Sequence, residues 1–196
     1  MAIKAILFDC FGVLVMPGSD ILRHDFPDKS SELHDLFMRS DYGYITRDEL
    51  REVMAELTGL SRDQLEKRYH EKNARNEVVF GWVRQLKQAG VYKIGLLSNI
   101  RVGGLDDFLP ETERQELFDG VVLSGELGIT KPAREIYEIA AARLGVQPHE
   151  CIMIDDLLQN TDGAERADMQ AVLFDTLAQA QQDVQRIIEE QDAGTA

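Results

Sequence analysis

The chain predicts an α/β fold: a doubly wound parallel sheet with a small helical segment inserted after its first strand. Three observations predict it. Short apolar runs recur along the chain, each bounded by turn residues, as suits strands buried on both faces. Amphipathic helical stripes separate most of these runs, and such alternation implies right-handed crossovers and a parallel sheet covered on both sides. Between the first run and the rest lies a stretch, residues 16 to about 75, whose patterning is helical throughout.

The first run, Ile3 to Phe8, leads straight into Asp9 and then Gly12. Turn chemistry follows at Met16-Pro17-Gly18-Ser19-Asp20. Residues 20–40 have weak helical periodicity, broken by Tyr42-Gly43-Tyr44. Thr46 and Glu49 form a capping box, in which each side chain satisfies an otherwise orphaned amide of the first turn. Leu50, Val53, Met54 and Leu57 continue that helix to Gly59. Ser61 and Gln64 repeat the device and open a further helix towards Asn73. Val79, Trp82, Val83 and Leu86 mark the next helix, closed by Gly90. A strand over Ile94–Leu97 ends in Ser98-Asn99. Residues 102–118 are irregularly helical and interrupted by Pro110, and Val121–Leu123 is the next strand. Pro132 fits a first helical turn, and Ile136, Ile139 and Ala140 carry that helix to Gly145. Cys151–Ile154 is a strand ending in Asp155-Asp156. A helix over Thr161–Ala167, a strand over Ala171–Phe174 and a helix capped by Thr176 and Gln179 complete the chain, with a disordered tail expected after Glu190.

The 196 residues suffice for one full domain and a modest insertion. A chain of this size buries roughly 70% of its unfolded surface and needs no disulfide or metal to fold. The formal net charge of −14 argues against nucleic acid or an anionic membrane as partner. It also means that an anionic substrate needs local cations. Two isolated cysteines, Cys10 and Cys151, suit a reducing compartment and have no metal-ligand spacing. With no apolar stretch long enough to span a membrane and no secretory signal, the expectation is a cytoplasmic protein. The oligomeric state is not readable.

Three predicted strands end in polar groups: Asp9, Ser98-Asn99 and Asp155-Asp156. If the strands are parallel, these ends share one rim, the place where ligands bind in open α/β sheets. Two adjacent carboxylates facing a third form an oxygen-rich site that suits Mg²⁺. A hydroxyl, an amide and Lys131 at the same point suit a phosphate. Each of these pieces is common by itself, as a turn, a helix start or a surface acid pair; the order in which they recur is the specific feature.

In that order the residues resemble the haloacid dehalogenase superfamily. Asp9-Cys10-Phe11-Gly12-Val13-Leu14 is similar to its first motif, Ser98-Asn99 to its second and Lys131-Pro132 to its third. Asp155-Asp156 with Asn160, Gly163 and Ala164 is similar to the fourth. The resemblance runs from Ile3 to about Phe174. Residues 16–75 look like the small cap of this superfamily, leaving 1–15 and 76–196 as a Rossmann-like core. Gly43-Tyr44-Ile45-Thr46 is similar to the cap of the subgroup holding sugar-1-phosphate phosphatases and the amino-terminal phosphatase domains of epoxide hydrolases. The resemblance implies a Mg²⁺-dependent phosphatase of a small phosphorylated metabolite, working through an aspartyl-phosphate. It implies Asp9 as nucleophile, with Asp9, the backbone carbonyl of Phe11 and Asp156 as metal ligands and Asp155 acting through water or behind them. Ser98 and the amide of Asn99 would bind phosphoryl oxygens, and Lys131 would neutralise charge shared by Asp9 and the transferred group.

One position departs from the pattern. The superfamily's phosphatases usually carry a second Asp two residues after the nucleophile, to protonate the leaving group, and here that residue is Phe11. Loss of a general acid costs about 10²–10⁴-fold. Either the substrate has a good leaving group, such as an anomeric sugar phosphate or an acyl phosphate, or a cap residue supplies the proton. His24 and His34 are the candidates there, although solvated histidines are commoner. Arg23, Lys29, Arg39 and Arg47 could meet the substrate but read more simply as a solvated face. Phe11 also resembles the superfamily's metal-independent 2-haloacid dehalogenases, but Asp155 and Asp156 argue against that reading. A non-catalytic scaffold binding a phosphorylated ligand or a protein is the remaining alternative.

Overall fold

The structure, a computed structural model, describes residues 2–15, 22, 25–65, 67, 75–106 and 108–193. Five parallel strands form one sheet: β1 (Ala5–Phe8), β2 (Lys93–Ser98), β3 (Gly120–Leu123), β4 (Cys151–Asp155) and β5 (Gln170–Leu173). They lie in the order β3-β2-β1-β4-β5. Phe8 sits level with Leu96 on one side and Ile154 on the other. From β1 the chain builds the sheet first towards β3 and then, on the other side, towards β5. That reversal opens a crevice beyond the carboxyl end of β1.

Helices cover both faces because alternate strand residues point to opposite sides. On one face Ile6, Phe8, Ile94, Leu96, Ile152 and Ile154 pack with α3 (Glu77–Ala89) and α8 (Leu177–Ala193). On the other, Ala5, Leu7, Leu97, Cys151 and Met153 pack with α6 (Arg134–Leu144) and α7 (Leu158–Arg166). Both cysteines are free thiols in this interior.

Within the inserted stretch, α1 (Ser30–Asp41) and α2 (Arg47–Thr58) bury their own apolar cluster, Leu33, Leu36, Ile45, Leu50 and Met54 with Leu22 and Leu65. Both arms of the Thr46–Glu49 capping box are made, and Gly59 closes α2 in the left-handed conformation. The second box is also present, since Ser61 N–H donates to Gln64 Oε1 at 2.9 Å; helix follows over 62–65, and the expected run to Asn73 passes outside the described residues. Val15 and Arg75, flanking the stretch, are paired by an isolated antiparallel bridge. Beside it the Asn76 N–H donates to the Leu14 carbonyl at 2.8 Å.

Three local expectations need correction. The described residues after β2 form no helix until α4 (Glu111–Leu117), which starts directly after Pro110. Pro132 precedes α6 rather than opening it: the Ala133 N–H closes a turn on the Thr130 carbonyl at 3.0 Å, and the Lys131–Pro132 peptide is cis. α8 continues past Glu190 to Ala193, carried by i,i+4 pairs such as Gln185 with Glu189 and Arg186 with Glu190. A single turn, α5 (Ser124–Leu127), follows β3 without an interval. Among the described residues no helix is long and apolar enough to cross a membrane.

Candidate active site

Asp9 extends β1 by one residue, its N–H donating to the Ile154 carbonyl at 2.9 Å. The chain then folds tightly, with Leu14 and Val15 N–H groups both reaching back to the Cys10 carbonyl. The strand ends therefore share one rim, and the polar groups expected there converge. Lys131 Nζ lies 2.9 Å from Asp9 Oδ1 and 2.6 Å from Asp155 Oδ2. Its third proton goes to the Leu97 carbonyl at 3.2 Å. Lys131 is 3% exposed, against 6% for Asp9 and none for Asp155, so the three groups depend on one another for charge compensation.

The two aspartates after β4 sit in different surroundings. Asp155 Oδ2 meets Lys131, while Oδ1 accepts from the Leu157 N–H and from Asn160 Nδ2, both at 3.0 Å. The Asp156 carboxylate lies against Gly12, filling the space that a side chain would otherwise take at that position, and Gly12 adopts φ 86°. Asp9, Asp155 and Asp156 each present an oxygen within 4.8 Å of the others. Three carboxylates around one ammonium leave an excess of negative charge in a buried place. Burial lifts the Asp9 carboxyl to about 7 against the pull of Lys131, and the two neighbouring carboxylates add to the rise. Burial alone would lower Lys131, but Asp9 and Asp155 outweigh it, and the ammonium stays charged. The Cys10 thiol is raised by burial and by Asp9, which makes it a filler rather than a nucleophile. An all-oxygen donor set with this charge fits a hard divalent cation such as Mg²⁺.

The phosphate-side residues divide in the same way. Ser98 is fully buried, and its Oγ has no hydrogen-bond partner among the described residues. A buried hydroxyl left unpaired is costly, so a ligand oxygen would satisfy it. Asn99 spends its side chain on a two-point pairing with the Lys131 backbone, donating to its carbonyl at 3.0 Å and accepting from its N–H at 2.8 Å. The amide left for a ligand is the Asn99 backbone N–H. Phe11 turns its ring edge-on to Phe108, with centroids 5.9 Å apart, so an apolar wall stands where an acid was looked for.

Residues 3–168 match the haloacid dehalogenase-like hydrolase family. The chain belongs to this family. Bacillus subtilis YhcW, provisionally named a phosphatase, is 31% identical over 118 residues, 60% of this chain and 53% of that protein. The chain thus spans about half the length of that relative. Two relatives match over more of their length at 26% identity. One is the pyrophosphatase PpaX of Bacillus cereus, with 85% of this chain and 81% of that protein covered. The other is (S)-2-haloacid dehalogenase 1 of a Pseudomonas strain, with 83% and 80% covered. Identity at this level does not separate the two chemistries. A haloacid dehalogenase family enzyme from Bacteroides thetaiotaomicron, crystallised with magnesium and inorganic phosphate, superposes with a TM-score of 0.71. It is 22% identical, with 87% of this chain and 93% of that chain covered, and shows the shared fold.

Of the residues in this hydrolase expected to meet the substrate from the insertion, Arg23 and His24 lie outside the described residues. His34 is exposed on α1, beside the buried stripe Leu33, Leu36 and Ser40. Lys29 pairs with Glu32 at 3.4 Å, and Arg39 is exposed. Sequence reasoning missed Asp41. It ends α1, its backbone carbonyl accepts from Ser124 Oγ, and its carboxyl feels both Arg101 and Lys131. The only signal in the sequence was an acid directly before the pattern break at Tyr42-Gly43-Tyr44.

Proposed function

We propose that this hydrolase is a Mg²⁺-dependent phosphatase of a small phosphorylated metabolite, acting through an aspartyl-phosphate on Asp9. The observation that carries the reading is the Lys131 ammonium bonded to both Asp9 and Asp155, with Asp156 at the same point. Asp9, the Phe11 carbonyl and Asp156 would hold the cation. Asp155, already engaged by Lys131, Leu157 and Asn160, would stand behind them. When bound, the cation offsets carboxylate charge and polarises the phosphoryl oxygens. Asp9 attacks phosphorus in line with the departing oxygen. Ser98 Oγ and the Asn99 N–H donate to the equatorial oxygens, and Lys131 balances charge shared between Asp9 and the transferred group. Water then attacks the acyl phosphate and regenerates Asp9.

Residues 16–75 would act as a cap over a core of 1–15 and 76–196, a reading supported by their separate apolar cluster and the Val15–Arg75 bridge. A sugar 1-phosphate is the substrate to test first, because its anomeric oxygen departs with little help. A cytoplasmic location is part of this reading, and the two free, buried thiols Cys10 and Cys151 suit a reducing compartment. Phosphate release across a substrate panel, with and without Mg²⁺ and beside Asp9→Asn, tests the proposal. Turnover that requires both the metal and Asp9 supports it; turnover surviving either loss sinks it. The apolar Phe11–Phe108 wall favours a second reading, dehalogenation, for which halide release in the presence of chelator is the assay.

A further inference from the structure

With Phe11 in place of the usual acid, the leaving oxygen has no proton donor from the loop after β1. An acid on the inserted stretch, Asp41, ends α1 beside the segment that follows β2. We propose that Asp41, at the end of α1, delivers the proton to the leaving oxygen from the side opposite Asp9. This rests on the phosphatase reading and adds to it the residue that completes the reaction.

Three observations bring the end of α1 to this rim. Ser124, fully buried in α5, accepts the Ile100 N–H at 2.9 Å and donates its own proton to the Asp41 carbonyl, so the end of α1 is bonded to the segment that continues β2 beyond Ser98-Asn99. Two residues on, Gly43 adopts φ 75° and comes so near Gly125 that a Cβ would stand 2.6 Å from its carbonyl oxygen. Gly125 in turn rests on the Arg101 backbone, where a Cβ would stand 2.8 Å from Cα. Insertion, α5 and the strand extension are thus stacked in contact, and only glycine permits that approach at Gly43. Among the described residues, the charged groups acting on the Asp41 carboxyl are Arg101, from the segment after β2, and Lys131, from the segment before α6. Lys131 is the ammonium that also binds Asp9. Asp41 and Asp9 are therefore both within electrostatic reach of one cation.

The protonation state suits the task. Burial lifts Asp41 to about 7, overcoming the opposite pull of Arg101 and Lys131, so acid and base forms are both available near neutral pH. In the first step Asp9 forms the new P–O bond, the bond to the leaving oxygen breaks, and the Asp41 proton passes to that oxygen. In the second step the Asp41 carboxylate takes a proton from the attacking water, and phosphate leaves with both aspartates restored.

The test compares wild type, Asp41→Asn and Asp41→Glu in Mg²⁺ on p-nitrophenyl phosphate and on two alkyl phosphates, glycerol 3-phosphate and glucose 6-phosphate, from pH 5 to 9. The expected result is that Asp41→Asn loses about 10²–10⁴-fold in kcat on an alkyl phosphate but less than about tenfold on p-nitrophenyl phosphate, whose leaving group needs no proton. Wild-type kcat on the alkyl substrate should fall above about pH 7. That alkaline limb should vanish in Asp41→Asn and persist in Asp41→Glu. Equal losses on both substrate types, or an unchanged alkaline limb in Asp41→Asn, would reduce Asp41 to a structural clasp. Wild type that turns over both p-nitrophenyl phosphate and a sugar 1-phosphate but neither alkyl phosphate handles only leaving groups that need little protonation, and refutes the proposal alone. Should Asp41→Asn not fold, the wild-type limb and Asp41→Glu decide, and a flat wild-type profile overturns it. Wild type with no Asp9-dependent phosphate release on any substrate defeats the phosphatase reading itself.

Discussion

Replacing Gly12 by Ala should disable the site while leaving the fold in place. Two costs follow from the local geometry. At φ 86° an Ala pays roughly 1–2 kcal/mol for the left-handed conformation. The new Cβ would also have all three atoms of the Asp156 carboxylate at or within 2.5 Å, where ordinary contact begins at 3.4 Å. Its nearest oxygen, at 2.1 Å, must therefore retreat by about 1.3 Å to reach ordinary contact. Mg²⁺ demands near-ideal octahedral geometry and tolerates only about 0.2 Å in its ligand distances. A displacement near 1 Å in a catalytic constellation costs on the order of 10²-fold. Gly12→Ala should therefore melt a few degrees lower, require much more Mg²⁺ for half-maximal rate, and lose about 10²-fold in kcat/KM at saturating metal. The measurements are a thermal melt in chelator, calorimetric Mg²⁺ binding, and phosphate release titrated with Mg²⁺. A variant within threefold of wild type in both Mg²⁺ affinity and kcat/KM would refute the assignment of Asp156 as a ligand.

Ser98→Ala removes a hydroxyl that is buried and unpaired, so stability should stay within about 1 kcal/mol of wild type or rise, while kcat falls about 10²–10³-fold; thermal melts run beside kinetics check the opposed signs. Lys131→Met leaves Asp9 and Asp155 without their shared ammonium and should cost about 3–5 kcal/mol, read from denaturant unfolding at pH 8. Asp41 predicts a pH-dependent stability difference. Its folded-state value, about 7, exceeds the unfolded 3.8, so between those values the native state holds a proton that the unfolded state has lost. The Asp41 contribution is then present at low pH and lost as pH rises through about 7, and Asp41→Asn should gain on wild type in melts from pH 5 to 8; a constant difference would contradict the raised value.

What the sequence made legible follows from where chemistry interrupts pattern. Asp9, Ser98 and Asp155 each stop a short apolar run, and parallel pairing carries every such stop to one rim. The capping boxes at Thr46 and Ser61 were readable because both partners lie within one turn. Pro132 was misread because a proline before a helix and one in its first turn have the same local signal; what decides is the Ala133–Thr130 turn. The single turn α5 escaped because its four residues carry no periodicity, and Ser124 is anchored by Ile100 and Asp41, 24 and 83 residues away in sequence. Asp41 escaped for the same reason: its surroundings come from Arg101 and Lys131, which only the folded chain brings near.

The charge balance of the rim gives Phe11 a physical sense. Asp9, Asp155 and Asp156 already crowd three carboxylates into one place, and Asp9, lifted first by burial and further by the other two carboxylates, rises to about 7. An acid at position 11 would add a fourth beside them, its proton governed by the same cluster. On the proposed reading, a donor on the insertion, facing Arg101 from the segment after β2, would separate the two demands: the β1 rim would stay anionic enough to hold a dication, while Asp41, raised to about 7 by burial, would keep a transferable proton near neutral pH. The two sites remain linked through Lys131, which faces both. Exchanging Phe11 for Asp should therefore not rescue Asp41→Asn fully on alkyl phosphates, because the restored acid would titrate with the carboxylate cluster rather than with Arg101. Full rescue, with an unshifted alkaline limb, would show that the location of the acid is immaterial and that Phe11 has no such role.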